Sequence, residues 1–226
     1  EQALADASPP VHITPITADE GQAQRWFEVF EGAGLDGVVA KHREHGYQPG
    51  RRVMNKVKHD RTADCVVVGY RAHKSGPDVV GSLLIGLYAD SEASGVGGED
   101  VFGALHPIGV VASFTDSRRR ELAEELKPLV IEMSEHPWGE ALIEISSARG
   151  PYPGSRWNPG KDLSFVPLRP ERVVEVRYNH MDGRHLRHPA QFVRWRPDRD
   201  PTSCGFGQLE QPAPLPIVDI LDQGRS

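Results

Sequence analysis

Three lysines and four arginines carry the chemistry that can be read directly from this chain. In Met54-Asn55-Lys56-Val57-Lys58 two lysines stand two residues apart. In a β-strand that spacing puts both side chains on one face and turns Val57 to the other, toward a core. Two ammonium groups side by side repel, so a sheet holds them best over an anion or in open water. A phosphate is one such anion, and a solvated strand face is the plainer reading of the same pattern. A third lysine, Lys41, ends the run Asp36-Gly37-Val38-Val39-Ala40-Lys41. Asp36 and Lys41 fall on opposite faces of a regular strand, so either Gly37 marks a bulge or Lys41 lies past the strand end. Near the C-terminus, Leu186-Arg187-His188-Pro189-Ala190-Gln191-Phe192-Val193-Arg194-Trp195-Arg196-Pro197-Asp198-Arg199 is dense in guanidinium groups. Arg194 and Arg196 share a strand face by the same alternation.

The segments Asp36–Lys41 and Asn55–His59 resemble the fourth and fifth motifs of the covalent nucleotidyltransferases, the superfamily of ATP-dependent DNA ligases and capping enzymes. The patterns are (Asp/Glu)-Gly-apolar-apolar-x-Lys and Lys-x-Lys. The arginine-rich segment resembles the sixth motif of DNA ligases. The resemblance extends over roughly residues 10–210 and is closest to the small stand-alone bacterial ATP-dependent ligases. Such enzymes pass AMP from ATP to a lysine, then to the 5′-phosphate of a nick, and the 3′-hydroxyl finally displaces it. Each step is in-line attack at phosphorus, where positive groups must bracket the non-bridging oxygens.

The resemblance therefore implies that Lys56 and Lys58 touch the α-phosphate of ATP and that Lys41 lies near the nucleotide. It implies that Asp36 serves as a metal or ribose-side carboxylate, for Mg2+ or another divalent cation. It assigns Arg187, Arg194, Arg196, Asp198 and Arg199 to the β,γ-phosphates. Arg199 stands where relatives often carry lysine, which keeps the charge and changes the geometry. A basic barrel strand facing DNA phosphates is the other reading of the arginines, and the two roles can coexist.

One element of the pattern is missing. No Lys-x-Asp-Gly, the family's nucleophile motif, occurs in the sequence, and its second and third motifs are absent too. The chain is thus expected to begin partway through a nucleotidyltransferase domain, to need the N-terminal part of that domain as a partner, and to be inactive alone in self-adenylation. His180-Met181-Asp182-Gly183 mimics the motif with histidine for lysine, but falls in a turn late in the chain. His180, His185 and His188 flank that turn without cysteine or carboxylate at ligand spacing and read as structural or solvent-facing. The expected function is part of an ATP-dependent DNA ligase that seals nicks in duplex DNA. A capping-type guanylyltransferase and a non-catalytic OB-fold DNA-binding module are the alternatives.

A net charge of −6 over 226 residues argues at face value against a nucleic-acid binder. The distribution argues otherwise: residues 41–75 hold nine Lys/Arg against three acids, and residues 149–200 hold eleven against six. Phosphate contacts need a local basic surface, not a basic average. No apolar run approaches the ~20 residues that span a bilayer, and there is no signal peptide, so no membrane partner is expected. Two cysteines, Cys65 and Cys204, make neither a disulfide framework nor a zinc site. A cytoplasmic monomer is the expectation.

These side chains need elements to hold them. Val11–Pro15 alternates like a short strand; Thr17 caps a helix over about 18–31, whose buried face is Ala23, Trp26, Phe27 and Phe30. Gly32 and Gly34 stop it, and the two lysine strands follow. His59-Asp60-Arg61-Thr62 reads as a polar link, where a hinge would sit. Beyond it come strands at 63–72, 79–88 and 105–114, a helix from Asp116 or Ser117 to about Val130, and strands at 172–178 and 191–196. Residues 90–100 read as a loop and 132–168 as an irregular insertion. Three strands, a helix and two strands is the order of an OB-fold. The fold class is therefore α+β: residues 1–60 as the C-terminal part of a nucleotidyltransferase domain, 61–210 as an OB-fold barrel, and 211–226 as a tail.

Overall fold

The structure, a computed structural model, describes residues 10–89, 105–139, 164–210 and 212–223. The chain divides into two compact units, residues 1–59 with 210–226, and residues 60–209.

In the first unit, helix α1 spans Glu20–Val29. Its cap is Asp19, whose carboxylate accepts from the Gln22 amide at 2.6 Å. Thr17, expected as the cap, instead holds the capping residue: its hydroxyl accepts from the Asp19 amide at 3.0 Å. The chain tightens to a 3-10 turn over Phe30–Ala33 and leaves through Gly34, which sits at φ 81°. That left-handed conformation is open to glycine at no steric cost. Phe30 is buried and Trp26 stacks on it at 5.6 Å. Residues 11–15 form no strand, because an alternating stretch needs a neighbour to pair with.

Strands β1 (Gly37–Lys41) and β2 (Met54–Lys58) form an antiparallel pair. Val57 was expected to face a core; it is 47% exposed, and Val39 across the pair is 49% exposed. A two-stranded ribbon has two faces, and the described residues of this unit leave both open to solvent here. The C-terminal residues belong to the same unit. The Leu215 amide donates to the Gly32 carbonyl at 3.0 Å, and a Cβ on Gly32 would collide with the Ala213 carbonyl oxygen. After helix α2 (Asp116–Leu126) of the second unit, the last helix, α3 (Ile217–Gln223), buries Ile220. His59 is stacked on Phe27 at 4.0 Å, and its Nε2–H donates to the Phe27 carbonyl at 2.9 Å.

The second unit is a five-stranded sheet whose neighbouring strands are all antiparallel, in the order Leu105–Val111 (β5), Gly76–Tyr88 (β4), Arg61–His73 (β3), Val166–Tyr178 (β6), Gln191–Trp195 (β9). A small hairpin of β7 (Met181–Asp182) and β8 (His185–Leu186) lies between the last two. The sheet's ends meet, since the Ala190 amide donates to Val110 at 2.8 Å beside a bridge to Val111. This is the OB-fold order, with helix α2 (Asp116–Leu126) between the third and fourth barrel strands. Thr115 caps α2, its hydroxyl accepting from the Arg118 amide at 3.3 Å. A 3-10 turn containing Pro128 takes over at Lys127, so the α-helix ends before Val130.

The core is contiguous and apolar: Val66, Val67, Val68, Leu83, Leu84, Ile85, Ile108, Leu122 and Leu126 are fully enclosed. Cys65 and Cys204 are buried free thiols, and burial pushes the pKa of both up. Arg61 and Thr62, read as part of the link, are already paired in β3 with Tyr178 and Arg177. Residues 90–100 and most of the 132–168 insertion, with Trp157, lie outside the described residues. Among the described residues no helix is long and apolar enough to cross a membrane.

Candidate functional site

In the first unit, antiparallel register decides which side chains meet. Gly37 stands opposite Lys58, Val39 opposite Lys56, and Lys41 opposite Met54. Residues directly opposite share a face, so Lys41, Lys56 and Lys58 all belong to one face of the β1–β2 pair. Gly37 opens the strand at φ 139°, a conformation L side chains rarely adopt. Asp36 therefore precedes the regular alternation. Its carboxylate lies 3.3 Å from the Lys56 ammonium and 3.7 Å from that of Lys58. The face question posed by the five-residue spacing is answered by this turn at Gly37. Lys41 sits exposed at the far end of the face.

The anion that lets two neighbouring ammonium groups coexist is thus Asp36. As disposed here its carboxylate is engaged by two ammonium groups, which a divalent cation would have to displace. Among the described residues no three His, Cys, Asp or Glu side chains gather to hold a metal.

In the second unit Arg194, Arg196 and Arg199 each lie against an acid. Asp64 on β3 is the register partner of Glu175 on β6, which is the partner of Arg194 on β9. One row across three strands therefore reads Asp–Glu–Arg on a single face. Arg194 donates to Glu175 at 2.6 Å. Arg196, one residue past β9, donates through Nη1 to both Asp64 oxygens at 3.1 and 2.9 Å. Its Nε and Nη2 donate to Asp198 at 3.0 and 2.9 Å. The hydrogen bonds to Asp198, and then the Asp64 charge, push the Arg196 pKa further above its ordinary range. The same contact with Arg196 holds the Asp198 carboxyl down at about 2. Arg199 lies 3.7 Å from Asp64 and donates to the Ser203 carbonyl at 3.3 Å.

Arg196 and Arg199 line a half-open cavity of about 230 Å³ with Arg172, Trp195, Glu171, Val173 and Pro197. Arg172 lies over the Trp195 ring at 5.7 Å. Trp195 is turned by its indole N–H, which donates to Glu125 on α2 at 2.8 Å. Arg194 and Arg187 do not line this cavity. Arg187 follows the β7–β8 hairpin, where its amide donates to the His180 carbonyl at 3.1 Å. The structure thus brings together two of the four arginines singled out by the sequence, with Asp198.

Three participants were not found in the sequence: Asp64, Arg172 and Glu175. Asp64 had a signal, being a lone acid in the apolar run Ala63–Val68. A charged residue in such a run is held there by a partner. The identity of that partner, 132 residues away, has no sequence signature.

Against known proteins, a family model described as "ATP dependent DNA ligase C terminal region" matches residues 76–199. The chain is 58% identical over 215 residues to DNA ligase C2 of Mycolicibacterium smegmatis, covering 94% of this chain and 58% of that protein. It is 55% identical over 219 residues to DNA ligase C of Mycobacterium tuberculosis, covering 96% and 58%. Among solved structures, the ligase domain of M. tuberculosis LigD aligns at 28% identity and a TM-score of 0.46, covering 90% of this chain and 57% of that one. The chain therefore spans 58% of the length of these two curated relatives. With the OB-fold order in the second unit and the family match over most of it, the chain belongs to the family of ATP-dependent DNA ligase C-terminal regions.

Proposed function

We propose that this chain is the C-terminal portion of an ATP-dependent DNA ligase that seals nicks in duplex DNA. The observation that carries the reading is the β1–β2 face, where Lys56 and Lys58 flank the Asp36 carboxylate and Lys41 stands on the same face. A phosphate group arriving there meets preorganised positive charge and displaces Asp36. Lys56 and Lys58 act on the α-phosphate, which takes part in every step, and Lys41 acts near the nucleotide. Arg196 and Arg199, with Asp198 beside them, act on the leaving pyrophosphate; Arg194 and Arg187, outside the cavity, fit contacts to DNA phosphate better.

ATP is the nucleotide, and the nucleophilic lysine comes from sequence this chain does not contain. Mg2+ or another divalent cation, expected on Asp36, would need that carboxylate drawn away from Lys56 and Lys58, with waters and the ATP phosphates filling the rest of its shell. The ligase match does not favour the guanylyltransferase or the non-catalytic module. Nicked DNA is the substrate partner, and the remainder of the adenylation domain the protein partner. The cytoplasm and a monomer complete the reading.

The test separates the two basic sites by step, in the ligase polypeptide that unites these residues with a Lys-x-Asp-Gly lysine. Arg196→Ala should impair self-adenylation and leave sealing of a pre-adenylated nick within a small factor. Lys58→Ala should slow both, by ~10²–10³, as expected for removing a donor that stabilises developing charge. If the two variants lose the same steps to the same degree, the division of labour is wrong. The 226-residue chain alone, given labelled ATP and Mg2+, should form no acid-stable AMP adduct; a stoichiometric adduct would place the nucleophile here.

A further inference from the structure

Asp64 lies outside all three motifs, yet it is the most firmly fixed group in the arginine cluster. Its backbone is pinned along one edge of β3 by a side chain acting as a surrogate strand. The Asp64 amide donates to the Gln208 carbonyl oxygen at 2.7 Å, and the Gln208 amide donates back to the Asp64 carbonyl at 3.0 Å. Along the other edge its neighbour is Glu175. The Asp64 side chain is 12% exposed, whereas that of Asp198 is 60% exposed.

The two acids grip opposite edges of one guanidinium. Asp64 takes Nη1, while Asp198 takes Nε and Nη2. The Nε/Nη2 edge is a planar fork that fits a carboxylate or a phosphate equally well. Asp198, exposed to solvent, therefore sits where an anion would sit. Asp64 cannot leave without disturbing the barrel strand that carries it.

We propose that Asp64 is a positioning residue for Arg196 and Arg199: it holds the guanidinium pair from behind while an inorganic pyrophosphate displaces Asp198 from the Nε/Nη2 edge. The proposal rests on the pyrophosphate role given to Arg196 above. It has an unusual signature, because electrostatics alone predicts something else. Removing either carboxylate raises the local positive potential, and a purely Coulombic role makes both deletions tighten anion binding. Positioning gives opposite signs. Without Asp198 the anion loses a competitor; without Asp64 the arginines must be ordered anew at each binding event, which costs side-chain entropy.

The experiment is titration of the 226-residue chain with inorganic pyrophosphate, by calorimetry at fixed ionic strength, for wild type, Asp64→Ala and Asp198→Ala. Asp198→Ala should tighten binding. Asp64→Ala should weaken it about tenfold, the scale typical of losing a group that orients a ligand-binding side chain. In an Arg196→Gln background the effect of Asp64→Ala should shrink, leaving only the part exerted through Arg199. Tighter or unchanged binding by Asp64→Ala overturns the proposal and leaves the role of Arg196 standing. Absence of pyrophosphate binding by wild type overturns that role, and the proposal with it. Should Asp64→Ala fail to fold, the wild-type chain decides by carboxyl-carbon NMR. Pyrophosphate must shift the Asp198 resonance and leave that of Asp64 in place; equal shifts overturn the proposal.

Discussion

His136 shows how a single residue outside the candidate sites sets a property of the whole second unit. Its Nε2–H donates at 2.8 Å to the carbonyl of Val68, which lies in a register shift of β3 between Val67 and Gly69. The bulge leaves that carbonyl in need of a donor. The Nδ1 must then be unprotonated, because it accepts from the Trp138 amide at 3.1 Å. Burial, opposed by the Val68 hydrogen bond, lowers the pKa of His136 from the ordinary 6.5. Below that value the unfolded chain takes up a proton that the folded chain refuses. Stability is therefore whole above about pH 6.5 and falls as pH drops toward the folded pKa. His185, lowered by burial as its largest cause, adds a component of the same sign. Urea midpoints measured between pH 7.5 and 5 should decline, and His136→Gln should lessen the slope. A slope unchanged in that variant would assign the effect elsewhere.

At the scale of elements, the β1–β2 pair depends on its first residue. Gly37 holds φ 139°, and a Cβ there would run into the Val57 carbonyl. That turn is what carries Asp36 onto the lysine face. Gly37→Ala should cost about 1–3 kcal/mol, the range for a residue forced into a disallowed conformation. In the intact enzyme it should slow the same steps as Lys58→Ala. Normal stability with normal activity would mean the turn relaxes without cost. The last helix makes a second element-scale prediction. Ile220 is 2% exposed, so Ile220→Ala should destabilise the first unit by about 2–5 kcal/mol. Limited proteolysis should then cut residues 1–59 faster than the barrel. Equal protection in the variant would show that the tail adds nothing to that unit.

At the scale of the molecule, the chain crosses between its two units twice, after His59 and again after Leu209. A net charge of −6 coexists with basic side chains gathered in the segments 41–75 and 149–200. The chain should bind nicked duplex weakly, with log affinity falling linearly in log salt at roughly 0.9 per phosphate contacted. Fluorescence anisotropy across a salt series measures that slope. Binding indifferent to salt would deny the basic segments a role on DNA.

The sequence by itself determined what depends on neighbours along the chain. The strand limits at Met54–Lys58, the common face of Lys56 and Lys58, the OB-fold order and the ligase family all follow from alternation, turn residues and short motifs. Each is a local pattern, repeated at a fixed period or spacing. Only the tertiary structure decided what depends on register and on encounters between distant segments. It put Lys41 on the face of the other two lysines through the pairing with Met54. It left Val57 exposed, where alternation alone turned it inward. It split the arginines into a cavity pair and two that stand elsewhere, and it supplied Asp64 as their common counter-charge. No local pattern encodes these outcomes. A pairing register sums hydrogen bonds and side-chain contacts over whole strands, and an ion pair spanning 132 residues exists only once the barrel has closed.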